Sequence, residues 1–232
     1  MDDLILKVEN LTVDFAEKHV LNDLSFDVQR GDFLSIVGQN GVGKTTLVRV
    51  ILGQLKPTSG KVQFVPNRSQ VKIGYVPQFR NIDTEYPLSV KDFVALAFSG
   101  FKLPWLSKKE HQRLNEVLKE TNLNAISKEP LGRTSGGEKQ RAYLAQALVV
   151  QPDLLILDES TASLDPEAKE SLLNVVSDLN SKHGLTVIFV THDIPLAKKF
   201  ANKYLFLRPN NYEFGPISNL NVEEFWKGQA DV

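Results

Sequence analysis

The chain has 232 residues, 42% of them apolar and 24% charged, with a formal net charge of −1 and no cysteine. That length suits one large α/β domain, or one domain carrying an inserted lobe. The near-neutral balance gives no global pull toward nucleic acid or anionic lipid, and the lack of cysteine excludes disulfides, thiolate metal sites and cysteine catalysis. No apolar run approaches the length of a membrane crossing, and the start Met1-Asp2-Asp3 is acidic, unlike a signal peptide, so the chain is expected to stay in the cytosol.

Leu4, Leu6 and Val8 alternate with Ile5, Lys7 and Glu9, and a second apolar run follows at Leu24 to Val28. The two predict a small antiparallel, hairpin-like sheet that covers a nucleotide base. Phe15 falls in the polar link between them and reads equally as a ring that stacks on the base or as an ordinary sheet-face aromatic. Phe33 to Val37 is a nearly continuous apolar run, the signature of a strand buried on both faces of a parallel sheet. Gly38-Gln39-Asn40-Gly41-Val42-Gly43-Lys44-Thr45 follows at once, and Thr46 opens a helical run to Leu55 that Gly53 and Pro57 close. The stretch satisfies the G-x-x-x-x-G-K-[ST] pattern at every fixed position and in the strand-to-helix setting the pattern requires. Its glycines let the backbone aim successive N–H groups into one concavity, and the following helix adds the positive end of its dipole. Lys44 is placed to reach the outer phosphates and the Thr45 hydroxyl to ligate magnesium. Nucleoside triphosphate binding is the first expectation.

Lys56 to Gly60 reads as a turn, and Val62 to Val65 and Lys72 to Val76 as strands, the second leading into Gln78. From Phe79 to about Gln151 the alternation of strand and helix gives way to helices alone, which reads as an inserted helical lobe. Val90 to Phe98 is one helix, and Ser107-Lys108-Lys109-Glu110 is a capping box that opens another. His111 falls on the inner side of that helix and is expected half-buried, since no second ligand stands at metal spacing. Ser135-Gly136-Gly137-Glu138 opens a third helix with Ala142, Ala145, Leu148 and Val149 as its apolar stripe. Alternation then resumes. Leu154 to Leu157 is a strand ending in Asp158-Glu159, and Pro166 begins a helix through Leu172, Val175, Val176 and Leu179 that Gly184 stops. Thr186 to Val190 is a buried strand ending at Thr191-His192-Asp193, Ile194 to Ala201 and Lys203 to Leu207 are the last helix and strand, and Pro209 to Val232 is a polar tail.

Asp158 and Glu159 stand at the carboxyl end of a central strand, the edge at which α/β sheets bind ligands. Asp158 suits holding a hydrated magnesium ion through its second shell, and Glu159 suits orienting and deprotonating an attacking water. His192 ends another strand on the same edge, where imidazole suits a γ-phosphate; a lone histidine of this kind reads more simply as a satisfied core residue.

Gly38 to Thr45, Gln78, Ser135 to Glu138, Leu154 to Glu159, Ser163-Leu164-Asp165 and His192 occur in the order and spacing of the ATP-binding cassette ATPases. The chain resembles that family over nearly its whole length. The resemblance implies an α/β fold of the P-loop NTPase kind: a RecA-like core with an N-terminal antiparallel β subdomain from residues 1–78 and 152–208, an inserted α-helical subdomain from 79–151, and a short tail from 209–232. It implies that Phe15 stacks on adenine, where many members have tyrosine, and that Gln78 contacts magnesium and the attacking water. It further implies that Ser135, Gly136 and Gly137 close on the γ-phosphate held by the opposite subunit, that Asp165 crosses the dimer seam, and that Glu159 and His192 are base and switch. Two residues depart from the common signature. Thr134 replaces leucine and loses an apolar anchor beneath the loop. Glu138 replaces glutamine and either completes a capping box with Ser135 or puts negative charge on a helix end meant to face phosphate. Ser160 stands where proline is common after the catalytic glutamate.

The resemblance also sets a stoichiometry: one chain supplies one phosphate loop and one signature, so two copies meet head to tail around two ATP molecules and their magnesium ions. A lone cassette with no fused membrane segment is the importer arrangement, implying a separate integral membrane permease subunit, an extracytoplasmic solute-binding protein acting indirectly, no nucleic acid, and a place on the cytoplasmic face of the cell membrane. The stretch Val76 to Val90, running into Asp92-Phe93-Val94, is similar to the corresponding segment of zinc and manganese importer ATPases. With Phe98, Phe101, Leu103 and Trp105 it is expected to line the groove for the permease's coupling helix; the competing reading is that these aromatics pack the lobe's own core. The expected function is ATP hydrolysis that energises import of a small solute, zinc or manganese. The alternatives are an ATPase for another small solute and a nucleotide-gated clamp or regulator with little turnover, against which Glu159 and His192 count.

Overall fold

In the computed structural model, residues 3–16, 18–78, 83–98, 106–159 and 164–221 are described. The chain divides into two units, Met1–Val71 with Gly184–Val232, and Lys72–His183.

In the first unit, β1 (Leu4–Phe15) and β2 (Lys18–Gln29) form an antiparallel hairpin, and β4 (Ser59–Phe64) pairs with the other edge of β1. The hairpin is longer than the alternation of apolar residues suggests. Register shifts fall between Leu4 and Leu6 and again between Val8 and Leu11, and Asn10 and Asp23 adopt positive φ of 48° and 49°. Side chains replace ladder bonds there: Asn10 Nδ2 donates to Asp23 Oδ1 at 2.7 Å, and Asn10 N–H to Ser25 Oγ at 2.8 Å. Such bulges break the two-residue period, so Ile5 and Leu6 are both fully buried and the supposed link is in fact strand. Phe15 ends β1 rather than lying in a link.

β3 (Phe33–Gly38) is buried along its whole length. It lies between β7 (Thr186–Thr191) and β8 (Lys203–Arg208), parallel to both, and β9 (Asn211–Pro216) adds to β8 antiparallel. Buried Asp32, just before β3, accepts from Gln29 N–H at 2.7 Å, Lys203 Nζ at 2.8 Å and Asn202 Nδ2 at 3.2 Å, tying the entry to β3 to the start of β8. α1 (Lys44–Ile51) leaves β3 through the glycine-rich loop. It stops short of Leu55, because Gly53 N–H bonds to Val50 O and Gln54 N–H to Arg49 O, the Schellman closure that a left-handed glycine permits. α6 (Ile194–Phe200) follows β7 and is capped by Asp193, whose carboxylate accepts Leu196 N–H at 3.1 Å.

The polar tail is a correction. Asn210, with φ 59°, turns the chain back so that Asn211–Pro216 pairs with β8, and Leu220 is only 3% exposed. Leu220 packs with Val37, Ile194, Ala197, Tyr204 and Phe206, the cluster at the end of β3 that leads into the loop. Residues 222–232 of the expected tail lie outside the described ones.

In the second unit, β5 (Ile73–Val76) and β6 (Leu154–Asp158) run parallel, with Tyr75 opposite Ile156 and Val76 opposite Leu157. Between them come α2 (Val90–Ala95), α3 (Lys108–Glu120) and α4 (Gly136–Leu148), and after them α5 (Pro166–His183). Phe93 and Tyr143 meet edge to face at 5.1 Å, and Gln146 Nε2 donates to Phe93 O at 2.7 Å, fastening α2 to α4. The capping box of α3 forms as expected, whereas His111 is exposed rather than half-buried. On α5 the buried set is Leu172, Leu173 and Val176, while Val175 and Leu179 stay half-exposed. α2 ends before Phe98, which is half-buried; Phe101, Leu103 and Trp105 lie outside the described residues.

Leu220→Ala is expected to cost about 3 kcal/mol, the order for a buried leucine truncated in a packed site. A fall in the urea midpoint of the full chain, at unchanged slope, checks it.

Candidate active site

The first unit carries the phosphate loop. Gly38 ends β3 where a Cβ would stand 2.7 Å from Leu207 O and 2.9 Å from Val42 Cγ1, so no side chain fits. Gly43 caps α1 at φ 112°, and a Cβ there would meet Val20 Cγ1 and Leu21 Cδ2 at 3.0 Å. The loop is thus pinned between β8 and the β1–β2 hairpin, the hairpin that carries Phe15 at its tip with 46% of its surface exposed. No side chain caps α1, which leaves its first backbone N–H groups to an anion. Lys44 is 4% exposed and its ammonium donates to Gly38 O and Gln39 O, both at 2.9 Å, crossing the loop it serves. Asn40, Gly41 and Thr45 are exposed, and Gln39, Val42 and Thr46 half-exposed, along the same stretch. Val37, just before the loop, pairs with Thr191, just before His192. Those two strand ends therefore lie side by side. The His192 imidazole is exposed, which rules out a core histidine.

The second unit carries the carboxylates. β6 is buried through Asp158, which is 3% exposed, and Glu159 follows at φ 45°, a conformation a non-glycine residue holds only when its surroundings impose it. Val76 pairs with Leu157, and Gln78 and Glu159 each stand two residues beyond that pair; Gln78 Nε2 donates to Glu159 Oε2 at 3.3 Å. Tyr75 Oη donates to Asp158 Oδ2 at 3.2 Å. The sequence reading missed this residue, because a tyrosine inside an apolar strand looks like packing until the register shows which carboxylate it faces.

Ser135 caps α4. Glu138 N–H reaches Ser135 Oγ at 3.3 Å, while Glu138 Oε2 accepts the Ser135 N–H and hydroxyl, each at 2.8 Å. Of the two readings of Glu138, the structure realises the capping box. The Ser135 backbone N–H, chiefly, holds the Glu138 carboxyl below its ordinary range, helped by the Ser135 hydroxyl and Arg141 and opposed by partial burial. Thr134 is 7% exposed and its hydroxyl donates to Leu131 O at 2.8 Å, so the anchor position stays buried with its polar atom satisfied. Gly137 approaches α5, where a Cβ would lie 3.5 Å from Ala168 Cβ. Asp165 caps α5 by accepting Ala168 N–H at 2.9 Å, directly before Pro166 at the first helical position. Ser160 and Ser163 lie outside the described residues.

A phosphate-binding loop at a parallel-strand end, an acid pair at the end of another strand, and a glycine-opened helix define a nucleotide-hydrolysing cassette. The family model described as ABC transporter matches residues 21–162. The chain is 35% identical over 225 residues to the probable metal transport system ATP-binding protein of Thermotoga maritima, covering 96% of this chain and 89% of that protein. It is 36% identical over 206 residues to the zinc import ATP-binding protein ZnuC of Photorhabdus laumondii, covering 88% of this chain and 74% of that one. Among solved structures, an ABC transporter described as of metal-chelate type, in an inward-facing conformation, matches with a TM-score of 0.87 and 31% identity, over 97% of this chain and 88% of that chain. The chain belongs to the ABC transporter family, as one of its ATP-hydrolysing cassettes. Among the described residues no helix is long and apolar enough to cross a membrane.

Because the Glu138 carboxyl is held low, its stabilising contribution is present above the unfolded value near 4.5 and is lost as pH falls through the folded one. Glu138→Gln keeps an acceptor without the charge. It is expected to flatten the acid limb of a urea-midpoint profile below about pH 5 by less than ~1 kcal/mol, as suits a mostly exposed group; an acid limb unchanged from wild type would deny the carboxylate this part.

Proposed function

We propose that the chain is the ATP-hydrolysing subunit of an importer, energising the passage of a small solute, a divalent metal ion such as zinc or manganese, through a separate membrane permease at whose cytoplasmic face it sits. The observation that carries turnover is Glu159, held in a strained conformation at a strand end with the Gln78 amide on its carboxylate. Support for the metal comes from the relatives named for metal transport and zinc import, and from the similarity of the Val76 to Val90 segment to such importers.

The roles follow from chemistry. Backbone N–H groups from Gln39 to Thr46 receive the phosphates, and Lys44 trades its two loop carbonyls for phosphate oxygens. Phe15 offers an exposed ring to adenine. In the first unit the Thr45 hydroxyl, and in the second the Gln78 amide oxygen, are hard oxygen donors of the kind magnesium takes, and the Asp158 carboxylate suits the water shell of a hydrated ion. When bound, magnesium would neutralise charge developing on the phosphates. Glu159 takes the proton of the attacking water that Gln78 helps to orient, and His192 hydrogen-bonds the γ-phosphate. One chain holds one loop and one signature, so Ser135, Gly136 and Gly137, with Asp165 at the seam, serve the nucleotide of a second copy. Loss of the γ-phosphate removes the group that joins the copies and reopens them.

Glu159→Gln is expected to lower turnover roughly a hundredfold or more while an ATP-bound pair accumulates on gel filtration; unchanged turnover would remove Glu159 as the base and favour a clamp. Deletion of the gene is expected to prevent growth under chelation, with recovery on added zinc or manganese. Indifference of the deletion strain to both metals would reassign the solute.

A further inference from the structure

We propose that Tyr75 is a positioning residue for the nucleotide's divalent cation, holding the Asp158 carboxylate in the orientation that the hydrated ion requires. The inference rests on the assignment of Asp158 given above and adds a residue to it. The register makes the contact unavoidable. Tyr75 pairs with Ile156 across parallel strands, so their side chains leave the same face, and Asp158, two residues further on, leaves that face too. The diagonal between such positions is about 7 Å at the backbone, a gap that a phenol spans and a shorter polar side chain does not. Oη reaches Asp158 Oδ2 at 3.2 Å. The flanking positions point the other way: a Cβ on Gly74 would lie 2.8 Å from Ala147 O of α4.

Burial makes the contact matter. A carboxylate that is 3% exposed exchanges few water hydrogen bonds, so a neighbouring donor decides which oxygen faces the metal and at what angle. β5 ends one residue after Tyr75, at Val76, and Gln78, two residues past that end, donates its amide to Glu159. β5 and the segment just after it therefore brace both acids, Asp158 by a phenol and Glu159 by an amide.

The test uses full-length Tyr75→Phe, which removes one hydroxyl and keeps the ring. Mn2+ serves as probe, its binding in the presence of ADP followed by the loss of the free-ion paramagnetic resonance signal. Mn2+ affinity is expected to fall about tenfold, the scale of an orienting partner behind a metal ligand. ADP affinity in excess chelator is expected to stay within about twofold of wild type, which also reports that the variant is folded. In steady state, turnover is expected to fall at limiting Mg2+ and to return toward wild type at saturating Mg2+. Unchanged Mn2+ affinity, or a loss of turnover that Mg2+ does not restore, would reduce Tyr75 to a packing residue. Should wild type itself show no nucleotide-dependent Mn2+ binding, the assignment of Asp158 fails first and the inference falls with it.

Discussion

Backbone N–H groups that are to converge on one phosphate need a loop that cannot relax. That constraint organises the first unit. The loop is wedged at one end by the carbonyl of Leu207, which leaves no room for a Cβ on Gly38, and crowded at the other by Val20 and Leu21, where Gly43 holds a φ of 112°. Strand β8 and the N-terminal hairpin therefore wall the glycine-rich loop as well as forming parts of sheets. The loop's anchor, β3, is buried throughout and flanked on both sides by parallel strands, which is what a loop of this rigidity needs beneath it. Lys44 completes the arrangement by crossing from the helix to two loop carbonyls, so its charge is held over the loop.

The second unit solves a different problem, that of presenting two adjacent carboxylates with different tasks. Asp158 belongs to the strand and is buried; Glu159 has left it and is half-exposed. The change of direction costs about 1–3 kcal/mol of backbone strain at a non-glycine residue, a cost tolerated where the preceding strand is rigid. It separates a carboxylate suited to a metal from one suited to a proton.

α3 and α4 show how two helices can open alike and differ in what they expose. Ser107 with Glu110 and Ser135 with Glu138 make the same capping box with nearly the same distances. Between serine and glutamate, however, α3 has Lys108 and Lys109, whereas α4 has Gly136 and Gly137. Beyond its chain neighbours and its own helix backbone, no atom of the described residues lies within 4 Å of where a Cβ on Gly136 would be, so the backbone there is uncovered. The box fixes the helix end, and the glycines bare it.

Much of this was determined by local sequence. The loop pattern, the uninterrupted apolar strands, both capping boxes and the order of the short motifs are written in neighbouring residues, because glycine conformations, helix caps and buried-strand composition are local properties. Other features were decided only in three dimensions. Bulges at Asn10 and Asp23 hid the length of the first hairpin, since they erase the period on which a strand is recognised. The strand Asn211–Pro216 looked like tail, because its partner β8 supplies the order that its own composition does not. The contact between Tyr75 and Asp158, residues 83 positions apart, is settled by the register of two strands. Sequence specifies what each residue can do, and the register of distant strands specifies which residue it does it with.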